Sequence, residues 1–266
     1  MDDPHVLKPN AALAPACLAF VAGFADAASF VGADGIFCAH VTGNFVVLAA
    51  DLARGASADE WLKLATFPIF VAAVLGATSL HTRRKGGAAG PSLLASAGLF
   101  AAAALVAARW ATAAPGPARS AVVALLVVAM GAQNALHRLN PALGPMTTVM
   151  TGNVTGWLVE TIVPGPPGAA SKHRTVGAVI AAFAAGCAAG ALGVARGGFV
   201  TLVVPAALLL FVRWRLPSPG AGAPPGAAVA PPAAAAAPGA GAPPAAAAPS
   251  AAEGGPQPAG RGPKLS

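Results

Sequence analysis

Long apolar stretches alternate with short polar ones along the first four-fifths of this chain. Six apolar stretches of 15 to 20 residues predict spanning helices, since a helix needs about 20 residues to cross a bilayer. These are Ala11–Phe30, Trp61–Leu80, Ser92–Ala108, Ala121–Leu136, Val176–Ala195 and Gly198–Val212. Two further stretches, Val41–Ala53 and Met146–Val163, predict short or re-entrant helices. The pattern predicts an all-α integral membrane protein: a helical bundle of about six full spans plus two short helices.

Composition supports this class. Only 9% of the residues are charged and 56% are apolar, whereas soluble domains carry about a quarter charged residues. A soluble domain is therefore excluded, as is disorder for most of the chain, because disorder requires low hydrophobicity. The net charge of +7 comes from short basic clusters between apolar stretches, such as Arg83-Arg84-Lys85. Charge in that position sets membrane topology and does not indicate a nucleic-acid partner.

The chain divides into two parts. Residues 1–216 form the predicted polytopic membrane domain. Residues 217–266 hold half of the 26 prolines and are otherwise almost all alanine and glycine. Recurrent proline interrupts helices because it lacks a backbone donor and clashes with the preceding turn. We therefore expect a disordered, low-complexity tail.

The membrane domain contains an internal repeat. Gly23-Phe24-Ala25-Asp26-Ala27 precedes Thr42-Gly43-Asn44, and Gly131-Ala132-Gln133-Asn134-Ala135 precedes Thr151-Gly152-Asn153. The interval from Gly23 to Gly131 and the interval from Thr42 to Thr151 differ by a single position. Agreement in both order and spacing indicates a duplication, with one copy at about 11–110 and the other at about 119–215.

At these residues the sequence resembles the YoaK family of bacterial membrane proteins. The matching stretches are Gly23–Asn44 and Met130–Asn153, and the resemblance covers roughly residues 12–213. It implies a small multi-pass protein of the bacterial inner, or plasma, membrane. It implies no activity, because none is established for the family.

Asp26 is the strongest candidate for chemistry. It lies some fifteen residues into the first apolar stretch. A carboxylate at the centre of a bilayer costs about 2.5–3.5 kcal/mol on insertion scales, and such residues are functional candidates by default. The alternative is that the first helix ends near Asp26 and leaves it at the membrane surface. The Gly32-Ala33-Asp34-Gly35 segment is typical of a turn and favours this alternative.

The two Thr-Gly-Asn motifs predict helix starts inside the membrane. Thr42 and Thr151 suit an N-cap position, where the hydroxyl accepts from an amide of the first turn. Transporter sites often use such broken helices, whose free amides point at the middle of the bilayer. We expect Thr42-Gly43-Asn44 and Thr151-Gly152-Asn153 to face each other near mid-membrane. Ordinary capped helix starts with close packing are the alternative.

Basic residues do not decide the topology. With six spans the two halves are inverted, and with eight spans they are parallel; seven spans are a further alternative, because Met146–Val163 has 18 residues. The six-span and eight-span arrangements both place nine basic residues inside and five outside. The shortness of Val41–Ala53 favours six spans with both termini in the cytoplasm. Gly186 and Gly190, spaced as Gly-x-x-x-Gly, predict close helix packing.

Two classes of function remain open. The first is a small-solute transporter or channel with its site between the repeats, and the second is a non-transporting membrane scaffold or accessory protein. No nucleophile–base set, phosphate loop or metal-binding motif is apparent, so we expect no enzyme, no cofactor and no metal. The expected partners are the lipid bilayer and an unknown small solute, accompanied by a proton or a cation. The candidate binding residues are Asp26, Thr42, Gly43, Asn44, Gln133, Asn134, Thr151, Gly152 and Asn153.

Overall fold

The computed structural model describes residues 12–55, 61–84, 89–110, 116–163 and 169–216. The predicted tail, 217–266, lies outside the described residues. Within them all regular structure is helical, as the sequence predicts. The helices are α1 (Leu13–Gly32), α2 (Gly43–Ala53), α3 (Trp61–Arg83), α4 (Ala89–Arg109), α5 (Pro117–Leu139), α6 (Met150–Ile162), α7 (Ala169–Gly197) and α8 (Val203–Arg215). A 3₁₀ turn over Pro141–Leu143 follows α5, and another over Gly198–Leu202 joins α7 to α8.

The long helices have the length and composition of membrane spans. In the described part of the chain, α1, α3, α4, α5 and the combined stretch Ala170–Arg215 are long and apolar enough to cross a bilayer. Gly198, with φ at +63°, divides that last stretch into α7 and α8. Large apolar side chains such as Trp61, Leu64 and Leu75 are exposed on α3. This surface suits contact with lipid, and the chain is therefore a multi-pass membrane protein.

Glycine contacts fix the direction of α7 relative to α1. A Cβ at Gly186 would overlap the carbonyl of Phe20, and a Cβ at Gly190 would overlap the carbonyl of Phe24. Residue numbers thus rise together along both helices, so α1 and α7 are parallel. The close packing predicted for Gly186 and Gly190 is confirmed. We call the end of the bundle where α1 begins the near face and the other end the far face.

Two hydrogen bonds fix the direction of α5. Arg119, near its start, donates to Asp34, which follows the end of α1. Gln133, near its end, donates to the carbonyl oxygen of Leu18 near the start of α1, at 3.0 Å. Helix α5 therefore runs from the far face to the near face, antiparallel to α1.

These directions decide the number of crossings. Because α5 runs opposite to α1, the chain crosses the bilayer an even number of times between them. The long helices α3 and α4 account for two crossings, so α2 does not cross. Because α7 runs parallel to α1 and opposite to α5, α6 does not cross either. At about 1.5 Å per residue, the 11 residues of α2 and the 13 of α6 span only about 16 and 20 Å. The arrangement is six crossings plus two short helices.

Helix α8 has only 13 residues, but together with the five-residue 3₁₀ turn before it the helical stretch is long enough to return the chain to the near face. Phe199 lies against Gly32 at the far end of α1. At the other end, Val212 and Leu216 share a crevice with Leu13. The first and last described helices thus begin and end on the same face of the bundle.

The short helices begin inside the bundle and end at opposite faces. The loop before α2 turns back to Asp26, six residues from the end of α1, which is about 9 Å of helix. Helix α2 then packs against α3 and reaches the far face. The loop before α6 turns back to Asn134, five residues from the end of α5. Helix α6 packs against α7 and reaches the near face.

Candidate functional site

Asp26 is buried within α1 and binds the loop that precedes α2. Only 3% of its surface is exposed. Its Oδ1 accepts hydrogen bonds from the backbone N–H groups of Ala39, at 2.6 Å, and His40, at 3.4 Å. Its Oδ2 contacts Nδ1 of His40. Since α1 continues to Gly32, the alternative of a helix that ends at Asp26 is wrong, and the carboxylate lies inside the bundle.

His40 joins four parts of the molecule. Besides Asp26 on α1, its ring packs edge-on against Phe37 in its own loop and Phe183 on α7, at centroid distances of 6.3 and 5.9 Å. The ring also lies beside the backbone of Thr148, in the loop before α6. The two loops that lead into the short helices therefore meet at this histidine.

The loop before α6 is held by α5. Thr148 donates its hydroxyl proton to Oδ1 of Asn134, and the Asn134 amide donates to the Met130 carbonyl at 2.9 Å. Gln133 donates to the hydroxyl of Thr147 at 3.1 Å. Asp26, His40, Thr148 and Asn134 thus lie side by side, and we call this row of neighbouring polar residues the polar chain. The structure brings together the two equivalent positions, Asp26 and Asn134, through residues that lie between them.

The two asparagines of the Thr-Gly-Asn motifs make corresponding contacts. The Asn44 amide donates to the carbonyl of Phe37, seven residues earlier, at 2.8 Å. The Asn153 amide donates to the carbonyl of Met146, also seven residues earlier, at 2.8 Å. Asn44 also accepts from the Phe37 N–H and donates to the hydroxyl of Thr66 on α3. Each asparagine closes its own loop, which is a structural role as well as a candidate binding role.

The predicted threonine caps are wrong. Thr42 occupies the N-cap of α2 but its side chain makes no capping hydrogen bond, and Thr151 lies inside α6, whose N-cap is Val149. Thr42 has a helical backbone conformation, with φ −70° and ψ −23°. The amides of Gly43, Asn44 and Phe45 instead donate to main-chain carbonyls three residues earlier.

This correction limits what these motifs can bind. The first three amides of α2 point into the preceding turn, so they are not free to hold a ligand. Of the remaining candidate residues, Thr42, Thr151 and Gly152 are exposed, and Gly43 is half-buried against the ring of Phe37.

Sequence reasoning missed four contributors: the bridging roles of His40 and Thr148, and the pair Lys63 and Thr66 on α3. Lys63 is buried, and its Nζ lies 2.6 Å from a carboxylate oxygen of Asp51 on α2. The sequence does contain a repeated spacing that marks this pair. Lys63-x-x-Thr66 recurs as Lys172-x-x-Thr175, at the same offset that separates the two Thr-Gly-Asn motifs.

Two apolar crevices lie away from this polar chain. One of about 670 Å³ lies between α1, α7 and α8, and one of about 530 Å³ lies between α3, α4 and α5. Neither contains a predicted site residue. In the described residues no group of three or more His, Cys, Asp or Glu side chains is placed to hold a metal. The titratable groups of the polar chain are the buried Asp26 and His40, whose side chain is 34% exposed, so its chemistry is that of a single acid–imidazole pair.

Fold and site define a class: a multi-pass helical membrane protein with two half-length helices and a buried acid that pairs with a histidine where their loops meet. The chain belongs to the DUF1275 family, described as proteins of unknown function, which matches residues 15–214. The predicted resemblance to the YoaK family is consistent with this membership. No curated protein and no solved structure matches the chain.

Proposed function

We propose that this chain is a small-solute transporter of the bacterial plasma membrane, with the Asp26–His40 pair as its proton-binding site. The observation that carries the proposal is the position of His40. It contacts the buried carboxylate of Asp26 and also lies beside the backbone of Thr148. A change of charge on this pair would act on both half-helix loops at once.

The geometry favours a proton over a metal cation. Asp26 already accepts two backbone hydrogen bonds and contacts the imidazole. A metal ion needs several oxygen or nitrogen ligands, and these oxygens are already engaged. A proton shared between carboxylate and imidazole needs no further ligand, and histidine changes charge near physiological pH.

We further propose that the two halves are an inverted repeat. The antiparallel directions of α1 and α5 support this, as do the matching Asn44–Phe37 and Asn153–Met146 hydrogen bonds. Transporters built this way alternate between states by moving one half against the other around a central site. The near face would then be cytoplasmic, with both termini inside. An enzymatic role is not part of this proposal.

The alternative, a non-transporting scaffold, is favoured by one observation. Asn44 is fully buried and all of its polar atoms are paired within the protein. Such pairing ties loops and helices together without any need for a solute.

The test is a comparison of uptake between a strain lacking this protein and strains that carry variants. A panel of small solutes is scored at acidic and alkaline external pH. The native chain should restore a pH-dependent phenotype, and Asp26→Asn should abolish it at equal membrane abundance. Asp34→Asn is the matched control, because Asp34 is exposed and pairs with Arg119 outside the polar chain. Full activity of Asp26→Asn, or no uptake phenotype in the strain lacking the protein, would contradict transport.

A further inference from the structure

Two buried side chains on α5 have polar atoms without partners among the described residues. Gln133 and His137 lie one helical turn apart and expose 1% and 3% of their surfaces. The Gln133 amide donates two hydrogen bonds, but its Oε1 accepts none. The His137 ring lies beside the Gly144 backbone, yet neither of its nitrogens reaches hydrogen-bond geometry. An unpaired buried polar group costs about 1–3 kcal/mol, so these atoms are expected to bind something beyond the protein's own groups.

These groups extend the polar chain towards the near face. Gln133 is next to Asn134, and it binds Thr147, the neighbour of Thr148. One turn further along α5, His137 is followed by the exposed Arg138 at the near end of the helix. Hydrogen-bonding side chains thus continue from Asp26 to the near face, between α5 and the loop that follows it.

The first half of the chain lacks this extension. With Gly23 aligned to Gly131, the positions equivalent to Gln133 and His137 are Ala25 and Ser29. Ala25 has no polar side-chain atom, and the Ser29 hydroxyl donates to the carbonyl of Asp26 at 3.1 Å. Within these paired segments, the unpaired groups therefore lie only on the side of Asp26 that leads to the near face.

We propose that Gln133 and His137 line a water-filled access site through which the Asp26–His40 pair exchanges protons with the near face. The proposal rests on the proposed function. Water has the donors that Gln133 Oε1 requires and binds either nitrogen of an imidazole. His137 takes a proton on one ring nitrogen and releases one from the other, so its charge is unchanged after each transfer.

Among the described helices packed against α5, no acidic group near His137 would hold it permanently charged. The loop 140–149 has no titratable residue. Besides His137, those helices and α5 itself carry the following titratable residues: Cys17 and Asp26 on α1, Lys63, His81 and Arg83 on α3, Arg109 on α4, and Arg119 and Arg138 on α5. The only carboxylate among them is Asp26, at the other end of the proposed path.

The first experiment measures water access directly. In a chain with Cys17, Cys38 and Cys187 replaced by serine, single cysteines at positions 133 and 137 are exposed to a small charged thiol reagent added to one face at a time. Both should react from the near face. Cysteines at 25 and 29, the equivalent positions, should resist the reagent from either face. Protection of 133 and 137 from both faces would overturn the access site.

A second measurement uses the unaltered chain and does not depend on how these variants fold. Hydroxyl radicals generated from water by X-rays oxidise side chains beside water, including buried water. His137 should be oxidised at a rate close to that of the half-buried His81. An unmodified His137 under these conditions would overturn the proposal.

The protonic role is tested in the uptake assay described for Asp26. His137→Phe should lower the pH-dependent rate by about tenfold or more, since a positioned proton-transfer group contributes roughly 10²- to 10⁴-fold. His81→Phe, on α3 at the same face, should not change the rate. If Asp26→Asn abolishes the pH-dependent uptake and His137→Phe leaves the rate unchanged, only the access site is contradicted. If cysteines at 133 and 137 react from the near face but Asp26→Asn takes up solute as the native chain does, only the proposed function is contradicted.

Discussion

At the scale of single residues, His40 is the group whose charge matters most. It belongs to the loop between α1 and α2, outside the spanning helices. The hydrogen bond with the Asp26 carboxylate raises the pKa of His40 above its ordinary value of 6.5, and burial opposes this in part. A raised pKa means that the folded protein favours the protonated ring. The contribution of His40 to stability is therefore fully present below about pH 6.5 and is lost as the pH rises through the folded-state pKa.

His40→Gln should thus destabilise the protein more at pH 5.5 than at pH 8.5. The measurement is the apparent melting temperature of the purified protein in detergent across that range, relative to the native chain. His81→Gln is the control, since His81 lies near the end of α3 and away from Asp26. A difference between native protein and His40→Gln that is constant with pH would show that the imidazole does not titrate against Asp26.

The sequence predicted Asp26 but not its partner. A buried acid within an apolar stretch stands out, because its cost in a bilayer requires compensation. The partner lies 14 residues away in a loop, and the hydrogen bond depends on how that loop turns back along α1. Such a return leaves no periodic signal in the sequence. The same is true of Thr148, whose contact with His40 joins positions in different halves of the chain.

At the scale of elements, the close contact between α1 and α7 depends on glycines, which have no side chain to hold the two backbones apart. Gly190→Ala would place a methyl group against the carbonyl of Phe24, where backbone cannot yield without separating the helices. We expect a loss of about 1–3 kcal/mol, the usual cost of overpacking, measured as a lower melting temperature in detergent. Gly98→Ala on α4 is the matched control, because a Cβ there meets nothing within 4 Å. That change should be neutral or slightly stabilising, since alanine is favoured over glycine in helices by about 0.5–1 kcal/mol. Equal melting temperatures for the two variants would contradict the tight contact.

The elements themselves were largely predictable, but their ends were not. Apolar length alone indicates α1, α3, α4 and α5, because a bilayer imposes a minimum span. The short helices were predicted from the apolar stretches Val41–Ala53 and Met146–Val163, and the Thr-Gly-Asn motifs predicted where they start. Their first turns differ from the prediction because main-chain carbonyls, and not threonine hydroxyls, accept from the first amides of α2. Capping preference is a local tendency, and a tight turn before the helix overrides it.

At the scale of the whole molecule, the two half-length helices end at opposite faces of the bundle. A single cysteine at position 54, the exposed position that follows α2, should react with an impermeant reagent only from the far face. A single cysteine at position 163, the exposed position that follows α6, should react only from the near face. In an eight-span arrangement both positions would lie on the near face. Labelling of both from the same side would therefore contradict six crossings.

The number of crossings shows where sequence reasoning stops. Six and eight spans place the same number of basic residues inside. If both short stretches crossed the bilayer, four basic residues would move outside and four others would move inside. Contacts between distant residues resolved it: Arg119 with Asp34 at one end, and Gln133 with Leu18 at the other. Helix direction is a property of tertiary packing, which no local pattern encodes.

The central claim is that the loops before α2 and α6 meet inside the membrane at His40 and Thr148. The most direct test is a crosslink between cysteines at positions 40 and 148, in a chain with Cys17, Cys38 and Cys187 replaced by serine. A short bifunctional reagent should join them within one molecule in native membranes. A control pair at 40 and 105, with position 105 on the exposed surface of α4, should stay unjoined. Absence of the 40–148 crosslink, with both cysteines shown to be reactive, would contradict the account.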